Sequence, residues 1–182
     1  MSEIKYASIP LNKMFIVGRG LPKYTKAYTD AHKGTYPVYS SKTENDGIFA
    51  YINTYDYDGE YLTISINGLA GKITIFNGKF STTANRVVCI PNDNIDIKYV
   101  MHVAEPILRN KNKGRKGDLG KNEFTKLTPD MIKTTQIPIP ITKTGSYDVE
   151  KQKELSAKYE QIEIIKRELS EMLTELTEIV IS

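Results

Sequence analysis

The chain has 182 residues, 40% hydrophobic and 26% charged, which is typical of a globular protein rather than of a disordered chain. No apolar stretch approaches the roughly 18–20 residues that span a bilayer, and the N-terminus lacks a signal-peptide pattern, so we expect no membrane segment. Residues 1–147 carry a net charge of +7 and residues 148–182 one of −4, which indicates a polyanionic partner for the first part, or simply a solvated acidic helix for the second.

The first half of the chain predicts short strands separated by tight turns. Asn-Gly and Asp-Gly pairs supply the positive φ angles that such turns need. Since the strands are rich in β-branched and aromatic residues, the pattern predicts a curved, mainly antiparallel β-sheet. The predicted strands are Tyr36–Ser40, Gly47–Ile52, Tyr61–Ile66, Lys72–Phe76 and Arg86–Ile90.

The only cysteine, Cys89, lies in the last of these strands. We interpret it as a buried small hydrophobic residue rather than a reactive thiol. A single cysteine cannot form an internal disulfide, which fits a cytoplasmic protein.

A helical pattern follows the strands. Apolar residues recur at helical spacing from Ile95 to Leu108, and Pro106 is expected to end or kink this helix. Arg109–Asn122 is then predicted to be a polar, glycine-rich loop.

Two further elements precede the C-terminal region. Thr128 and Pro129 are typical of an N-cap and a first helical position. Ile137–Ile141 alternates isoleucine with proline and must therefore be extended, as an edge strand or a stiff strap.

The C-terminal region predicts one long helix. No glycine or proline occurs from Val149 to Val180, and Asp148 offers an N-cap. A heptad stripe interrupted at Lys158 would be exposed on an isolated helix, so it must pack against the chain's own sheet or, as we expect, against a second copy in a homodimer. The stripe consists of Leu155, Ile162, Ile165, Leu169, Met172, Leu176 and Ile179.

The sequence offers little that is typical of catalysis. The two histidines, His32 and His102, are far apart, and no zinc-ligand spacing, phosphate loop, dinucleotide fingerprint or serine elbow occurs. We therefore expect no catalytic residue, no metal and no cofactor. Asp56, Asp58 and Glu60 fit a turn between strands, and the alternative is a metal-dependent nuclease site.

A basic segment predicts contact with a nucleic-acid backbone. Six cations fall within 13 residues, interleaved with glycines that let backbone N–H groups approach a phosphate. The cations are Arg109, Lys111, Lys113, Arg115, Lys116 and Lys121. A solvated surface loop is the alternative.

Base reading needs hydrogen-bonding side chains on loops that reach a groove. Two such loops and an N-terminal segment are candidates. Their residues are Ser40, Ser41, Lys42, Thr43 and Asn45; Thr82, Thr83, Asn85 and Arg86; and Arg19, Lys23, Tyr24 and Lys26.

The order of these motifs resembles the specificity subunit of type I restriction–modification systems. The resemblance covers nearly the whole chain and runs through Gly34–Ser41, Asn45–Ile48, Tyr55–Leu62, Gly68–Ile73 and Gly78–Thr83, then through Ile137–Pro140 into the long helix.

The resemblance implies an α+β protein, with a double-stranded DNA target-recognition domain at residues 1–147 and a coiled-coil spacer helix at residues 148–182. Members of this family have no catalysis of their own and direct a methyltransferase subunit, and in some systems a restriction subunit, to their targets. The chain departs from the family pattern where an insertion with Thr144–Ser146 precedes the helix.

Family members usually contain two recognition domains and two spacer helices, whereas this sequence has one of each. We therefore expect two copies to pair and to read a bipartite inverted repeat. The alternatives are a fragment that pairs with a different half, and a coiled-coil protein-interaction module with only non-specific DNA association.

Overall fold

The computed structural model describes residues 4–116 and 123–181, with side chains described to residue 177. Within these residues thirteen short strands and five α-helices follow one another. The strands are β1 Lys5–Pro10, β2 Phe15–Arg19, β3 Lys33–Tyr39, β4 Ile48–Ile52, β5 Tyr57–Asp58, β6 Tyr61–Ser65, β7 Asn67–Gly68, β8 Ile73–Phe76, β9 Lys79–Thr82, β10 Arg86–Pro91, β11 Lys113–Arg115, β12 Phe124–Lys126 and β13 Gln136–Ile141. The helices are α1 Leu11–Met14, α2 Lys26–Ala31, α3 Ile97–Lys111, α4 Pro129–Lys133 and α5 Val149–Ile181.

The strands form four small sheets, with the orders β1-β13, β2-β10-β6-β8, β11-β12-β7 and β4-β3-β9-β5. Their pairings are antiparallel except for β3 with β9. The predicted α+β class, with antiparallel sheets, short helices and a long C-terminal helix, is confirmed. The division into several sheets was not predicted. At the end of β6, the N–H of Ile66 donates to Asn85 O and its carbonyl oxygen accepts from the N–H of Leu127, which connects β6 to the segments just before β10 and just after β12.

The main core lies where the sheet β2-β10-β6-β8 packs against α3 and β13. Leu62, Ile64, Val100, Leu108 and Ile137 are fully buried there. The core also holds Cys89 as a buried residue, as predicted, and burial raises the pKa of its thiol to about 12.

Helix α3 continues through Pro106 to Lys111, so the prediction that this proline ends the helix is wrong. Pro106 lies on the exposed side, while Val100, Ala104 and Leu108 are buried on the core side. Burial of that stripe on both sides of the proline offsets the hydrogen bond that a helical proline forfeits.

The elements around β13 match their sequence signals. Thr128 Oγ1 accepts from the N–H of Met131 at 3.2 Å, and Pro129 occupies the first turn of α4. The Ile-Pro repeat is extended, as predicted, and forms a two-stranded antiparallel ladder with β1.

Helix α5 begins at its predicted N-cap, where Asp148 Oδ1 accepts from the N–H of Lys151 at 3.0 Å. Its first three turns dock against the chain's own domain: Gln152 is buried and accepts from the N–H of Asp96, and the ring of Tyr159 stacks on His102. Every side chain from residue 161 to 177 is exposed. Among the described helices, none is both long enough and apolar enough to cross a membrane.

Candidate nucleic-acid interface

The three-stranded sheet β11-β12-β7 presents a basic face. Lys113 lies opposite Lys126, and Arg115 lies opposite Phe124. Directly opposed residues of an antiparallel pair project to the same face, so these four side chains share one surface. The Arg115 guanidinium lies 5.8 Å from the centre of the Phe124 ring. Phe124 is 70% exposed, whereas Thr125, on the opposite face, is fully buried.

This sheet replaces part of the loop predicted for Arg109–Asn122, because α3 extends to Lys111 and β11 follows almost directly. Gly114 has a φ of +123°, and a Cβ at this position would lie 2.3 Å from the carbonyl oxygen of Phe124. The close approach of the two strands therefore requires a glycine here.

The loop after β3 borders the same surface. Ser41, Lys42 and Thr43 line a shallow depression whose opposite wall includes Leu69 and Phe124. Asn45, in the same loop, is exposed and has a φ of +50°, a conformation that asparagine tolerates better than most residues.

Hydrogen bonds hold three further segments beside this loop. Ser41 Oγ donates to the carbonyl oxygen of Asn85 at 2.6 Å, and Asn67 Nδ2 donates to Asn85 Oδ1 at 2.9 Å. Arg19 Nε donates to the carbonyl oxygen of Ala84 at 2.7 Å.

The fold thus assembles one continuous surface, which we call the polar-basic surface, from segments distant in sequence. It comprises Arg19, Ser41, Lys42, Thr43, Asn67, Asn85, Lys113, Arg115, Phe124 and Lys126.

Four residues predicted to read bases are buried instead. Arg86 is only 4% exposed, and its guanidinium donates to Ser40 O at 2.6 Å and to Thr63 Oγ1 at 2.7 Å. Ser40, Thr82 and Thr83 are also buried. Thr82 ends β9 and Arg86 begins β10, and within the connection between these strands only Asn85 is exposed, so the buried side chains support the loops from inside the fold. Contrary to the prediction, these four side chains are therefore not placed to face a DNA groove.

Of the six cations in the basic segment, Arg109 is half-buried and is held in an ion pair. Its two terminal nitrogens donate to the carboxylate oxygens of Glu123, each at 2.7 Å. This bidentate hydrogen bonding holds the pKa of Glu123 below its ordinary value, and a hydrogen bond from Thr125 lowers it further. The ion pair ties the start of β12 to α3, so Arg109 anchors the basic face rather than forming part of it.

The other predicted phosphate contacts are distributed as follows. Lys113, Arg115 and Lys116 are exposed. Lys111, the last residue of α3, is also exposed, with Nζ 3.4 Å from Thr135 Oγ1. Lys121 lies outside the described residues.

The candidates of the N-terminal segment differ in exposure. Lys23 is exposed and lies 5.0 Å above the ring of Tyr24. Tyr24 itself is buried and donates to Asp56 Oδ2 at 2.6 Å; burial is the main reason why the pKa of its hydroxyl is raised. Lys26 is an exposed residue of the first turn of α2.

The acidic residues weighed as a nuclease site serve other contacts. Asp56 accepts from Tyr24, and Asp58 lies 4.0 Å from Lys79 Nζ across the β5–β9 pair. In residues 4–116 and 123–181, no group of three or more His, Cys, Asp and Glu side chains is placed to hold a metal ion.

Helix α5 carries a second, apolar surface. Leu155 packs against the chain's own core, so this position of the predicted stripe is occupied within the molecule. The stripe from Ile162 to Leu176 is exposed, by 46% at its start and 59% at its end. The side chain of Ile179 lies outside the described residues. Leu173, which the stripe did not include, is 65% exposed.

Sequence reasoning did not identify Asn67, Phe124 and Lys126 as part of the surface. Asn67 belongs to one of the Asn-Gly pairs that were interpreted as turns, but it lies in β7 and pairs with Lys126 of β12. The segment Phe-Thr-Lys at 124–126 contains a β-favouring aromatic and a β-branched residue, which is a weak strand signal at three residues.

Comparison with known proteins gives this arrangement a family. A family model described as "Type I restriction modification DNA specificity domain" matches residues 5–174. A protein of Mycoplasma pneumoniae (strain ATCC 29342 / M129 / Subtype 1), named as the specificity subunit of type I restriction enzyme MpnII, is 42% identical over 77 residues, which are 42% of this chain and 23% of that protein. A second protein of the same organism, also named as a type I specificity subunit, is 43% identical over 84 residues, 46% of this chain and 22% of its own length.

Two solved structures share the fold. The S subunit of a type I restriction–modification system from M. genitalium superposes with a TM-score of 0.68 at 10% identity, covering 93% of this chain and 42% of the other. A chain from a structure concerned with complex assembly and conformational transition of the type I R-M system also has a TM-score of 0.68, at 16% identity, with 96% and 43% covered.

The chain thus spans about a fifth of the length of these two curated relatives and less than half of the solved chains. The family model, by contrast, matches almost the whole described chain. From the match over residues 5–174, the chain belongs to the family of type I restriction–modification DNA specificity domains.

Proposed function

We propose that this chain reads DNA sequence as a target-recognition domain, with residues 1–147 forming the domain and residues 148–182 the spacer helix. The observation that carries the proposal is the polar-basic surface, in which three separate segments, at Arg19, Ser41–Thr43 and Asn85, border an exposed basic sheet. Family membership supports the same function.

The polar-basic surface and the exposed cations beside it would make two kinds of contact with DNA. Lys111, Lys113, Arg115 and Lys116 are exposed cations suited to phosphate contact, which positions a protein but carries no sequence information. Lys121 remains a prediction of the same kind.

Base reading falls to hydrogen-bonding side chains beside these cations. Ser41, Lys42, Thr43 and Asn45 lie on one loop. Asn85 faces the loop, and Arg19 borders it, at hydrogen-bond distance from the neighbouring backbone. Asparagine is suited to adenine and arginine to guanine.

Two copies of the chain would pair through the exposed part of α5. The apolar stripe from Ile162 to Leu176 supports this step, because it is too long and too exposed to be stable alone in water. A two-fold dimer would present two recognition surfaces to a bipartite inverted repeat.

We further propose that the chain carries no catalysis itself and directs a methyltransferase subunit, and in a complete system a restriction subunit, to the target. The name of the MpnII relative, a specificity subunit of a restriction enzyme, supports this assignment.

Backbone contact is tested by replacing Lys113, Arg115 and Lys116 together with alanine. Counterion release ties each phosphate contact to the salt dependence of binding. The triple variant should bind all duplexes more weakly, and the slope of log affinity against log salt concentration should fall in magnitude by about three. Fluorescence anisotropy with a labelled random duplex measures both quantities.

A matched control replaces three exposed lysines elsewhere: Lys13 on α1, Lys33 at the start of β3 and Lys143 before α5. This variant loses the same charge, but its salt dependence should stay close to that of the wild type. If both triple variants lose the same affinity and the same salt dependence, net charge rather than the basic sheet governs binding.

A further inference from the structure

Phe124 is the most exposed large hydrophobic side chain among the described residues, at 70%. A single exposed apolar residue needs no explanation in itself. Phe124, however, is surrounded by charge: Arg115 lies 5.8 Å from its ring, and Lys113 and Lys126 share its face of the sheet. An aromatic ring among exposed cations fits a partner that combines negative charge with an apolar group.

Hydrogen bonds on the buried side of the sheet fix the backbone on either side of Phe124. Thr125 Oγ1 donates to Glu123 Oε1 at 2.6 Å and accepts from the N–H of Ala70 at 3.1 Å. Glu123, on the other side of Phe124 in sequence from Thr125, is held by the two hydrogen bonds from Arg109. The ring therefore cannot turn into the core without breaking this network, and it is presented outward before any partner binds.

The depression beside Phe124 identifies which part of a duplex the ring would meet. Phe124 lines it together with the loop residues Ser41, Lys42, Thr43 and Glu44, so polar groups that can bond base edges lie next to the ring. A narrow β-ribbon fits the major groove of DNA, where the one exposed apolar group is the C5 methyl of thymine. A wedge between bases would instead require a strongly bent duplex in the minor groove.

We propose that Phe124 is a specificity-determining residue that contacts the methyl group of one thymine in each half-site. This inference rests on the proposed function, because it requires that the chain reads DNA. The cations around the ring hold the adjacent phosphates, and the neighbouring loop reads the hydrogen-bonding edges of the flanking bases.

The test uses the full chain and a duplex carrying the sequence enriched by it from a randomised library. Each thymine of one half-site is replaced in turn by deoxyuridine, which removes the methyl group and nothing else. At one thymine the wild type should bind about fourfold more weakly after the replacement, the loss expected for one buried carbon. Phe124→Ala should bind the thymine duplex more weakly than the wild type does, and should bind the thymine and uracil duplexes equally well.

Ile16→Ala is the matched control, because Ile16 is 62% exposed on β2, in a different sheet. This variant should keep the wild-type response to uracil. Because both side chains are exposed, neither truncation should change the stability by more than about 0.5 kcal/mol.

Three results would overturn the inference: an enriched half-site without thymine, a wild type that is indifferent to every uracil, or a Phe124→Ala variant with undiminished sensitivity. Each of these leaves sequence reading intact, since an enriched motif exists. Failure to enrich any motif would instead contradict the proposed function itself.

Discussion

Arg86 and Arg19 lie on the neighbouring strands β10 and β2, yet their guanidinium groups have different environments. Arg86 is enclosed, with its planar group 5.0 Å from the Phe76 ring centre, and burial lowers its pKa to about 10. Arg19 is exposed on the polar-basic surface. Both are arginines at the end of a strand, so the direction of the side chain decides which of them is available to a DNA partner.

Replacing each arginine with alanine should therefore have opposite consequences. Arg86→Ala leaves Ser40 O and Thr63 Oγ1 without their buried donor, which should lower the free energy of unfolding by about 3 kcal/mol. Arg19→Ala should change it by less than about 0.5 kcal/mol but weaken binding to the target duplex. Urea denaturation and anisotropy separate the two effects. A stable Arg86→Ala variant that has lost its sequence preference would return Arg86 to the reading surface.

Glu123 gives a pH-dependent prediction. Its pKa is lowered in the folded protein by the Arg109 hydrogen bonds, so its ion pair stabilises the fold above the unfolded value, near 4.3, and this stabilisation is lost as the pH falls through the folded value. Glu123→Gln should cost about 2 kcal/mol at pH 7, and the difference from the wild type should shrink below about pH 4. Urea midpoints measured across this range check it. Glu60→Gln, at an exposed carboxylate, serves as the control. A constant difference would mean that packing, not charge, holds β12.

At the scale of elements, sequence periodicity predicted the long elements well and the short ones poorly. Helices α3 and α5 span 15 and 33 residues, so their apolar repeats are unambiguous, and the Ile-Pro repeat permits only an extended strand. Strands β7, β11 and β12 have two or three residues, too few for any alternation to be visible. The pairing of β7 with β12 joins segments nearly 60 residues apart, which local propensity does not encode.

The heptad stripe of α5 shows a related limit. A periodic stripe indicates that one face of a helix is buried, but it does not indicate which surface covers that face. In α5 the two ends of the stripe have different environments. Leu155 contacts the chain's own core, whereas Leu169 and its neighbours are exposed. The first part packs within the molecule, and for the second part we propose a second copy of the chain.

Leu169→Glu tests that division. If two copies pair through the exposed part of α5, the substitution removes a leucine contact from both chains, which should weaken association by about 3 to 6 kcal/mol. Light scattering at micromolar concentration should then give the mass of one chain for the variant and of two for the wild type. Arg167→Glu, off the stripe on the same helix, should remain paired. A wild type with the mass of one chain would contradict the dimer.

At the scale of the whole molecule, we propose complementary roles for the polar-basic surface on the domain and the exposed apolar stripe on α5. The 33 residues of α5 would extend over about 50 Å, so a pair of such helices would hold two recognition surfaces well apart. The separation, rather than any side chain, would set the number of unread base pairs between half-sites. The sequence indicated both surfaces, but the fold was needed to show which cations and polar groups they contain.

Selection from a randomised duplex library, with the purified chain alone and with the proposed methyltransferase subunit, tests whether a two-fold dimer of this chain reads DNA sequence. We expect enrichment of two inverted half-sites with a fixed gap, because a two-fold dimer must read the same sequence on opposite strands. Retention of DNA with no enriched motif in either experiment would contradict sequence recognition. A single, unrepeated half-site would contradict the dimer while leaving recognition in place.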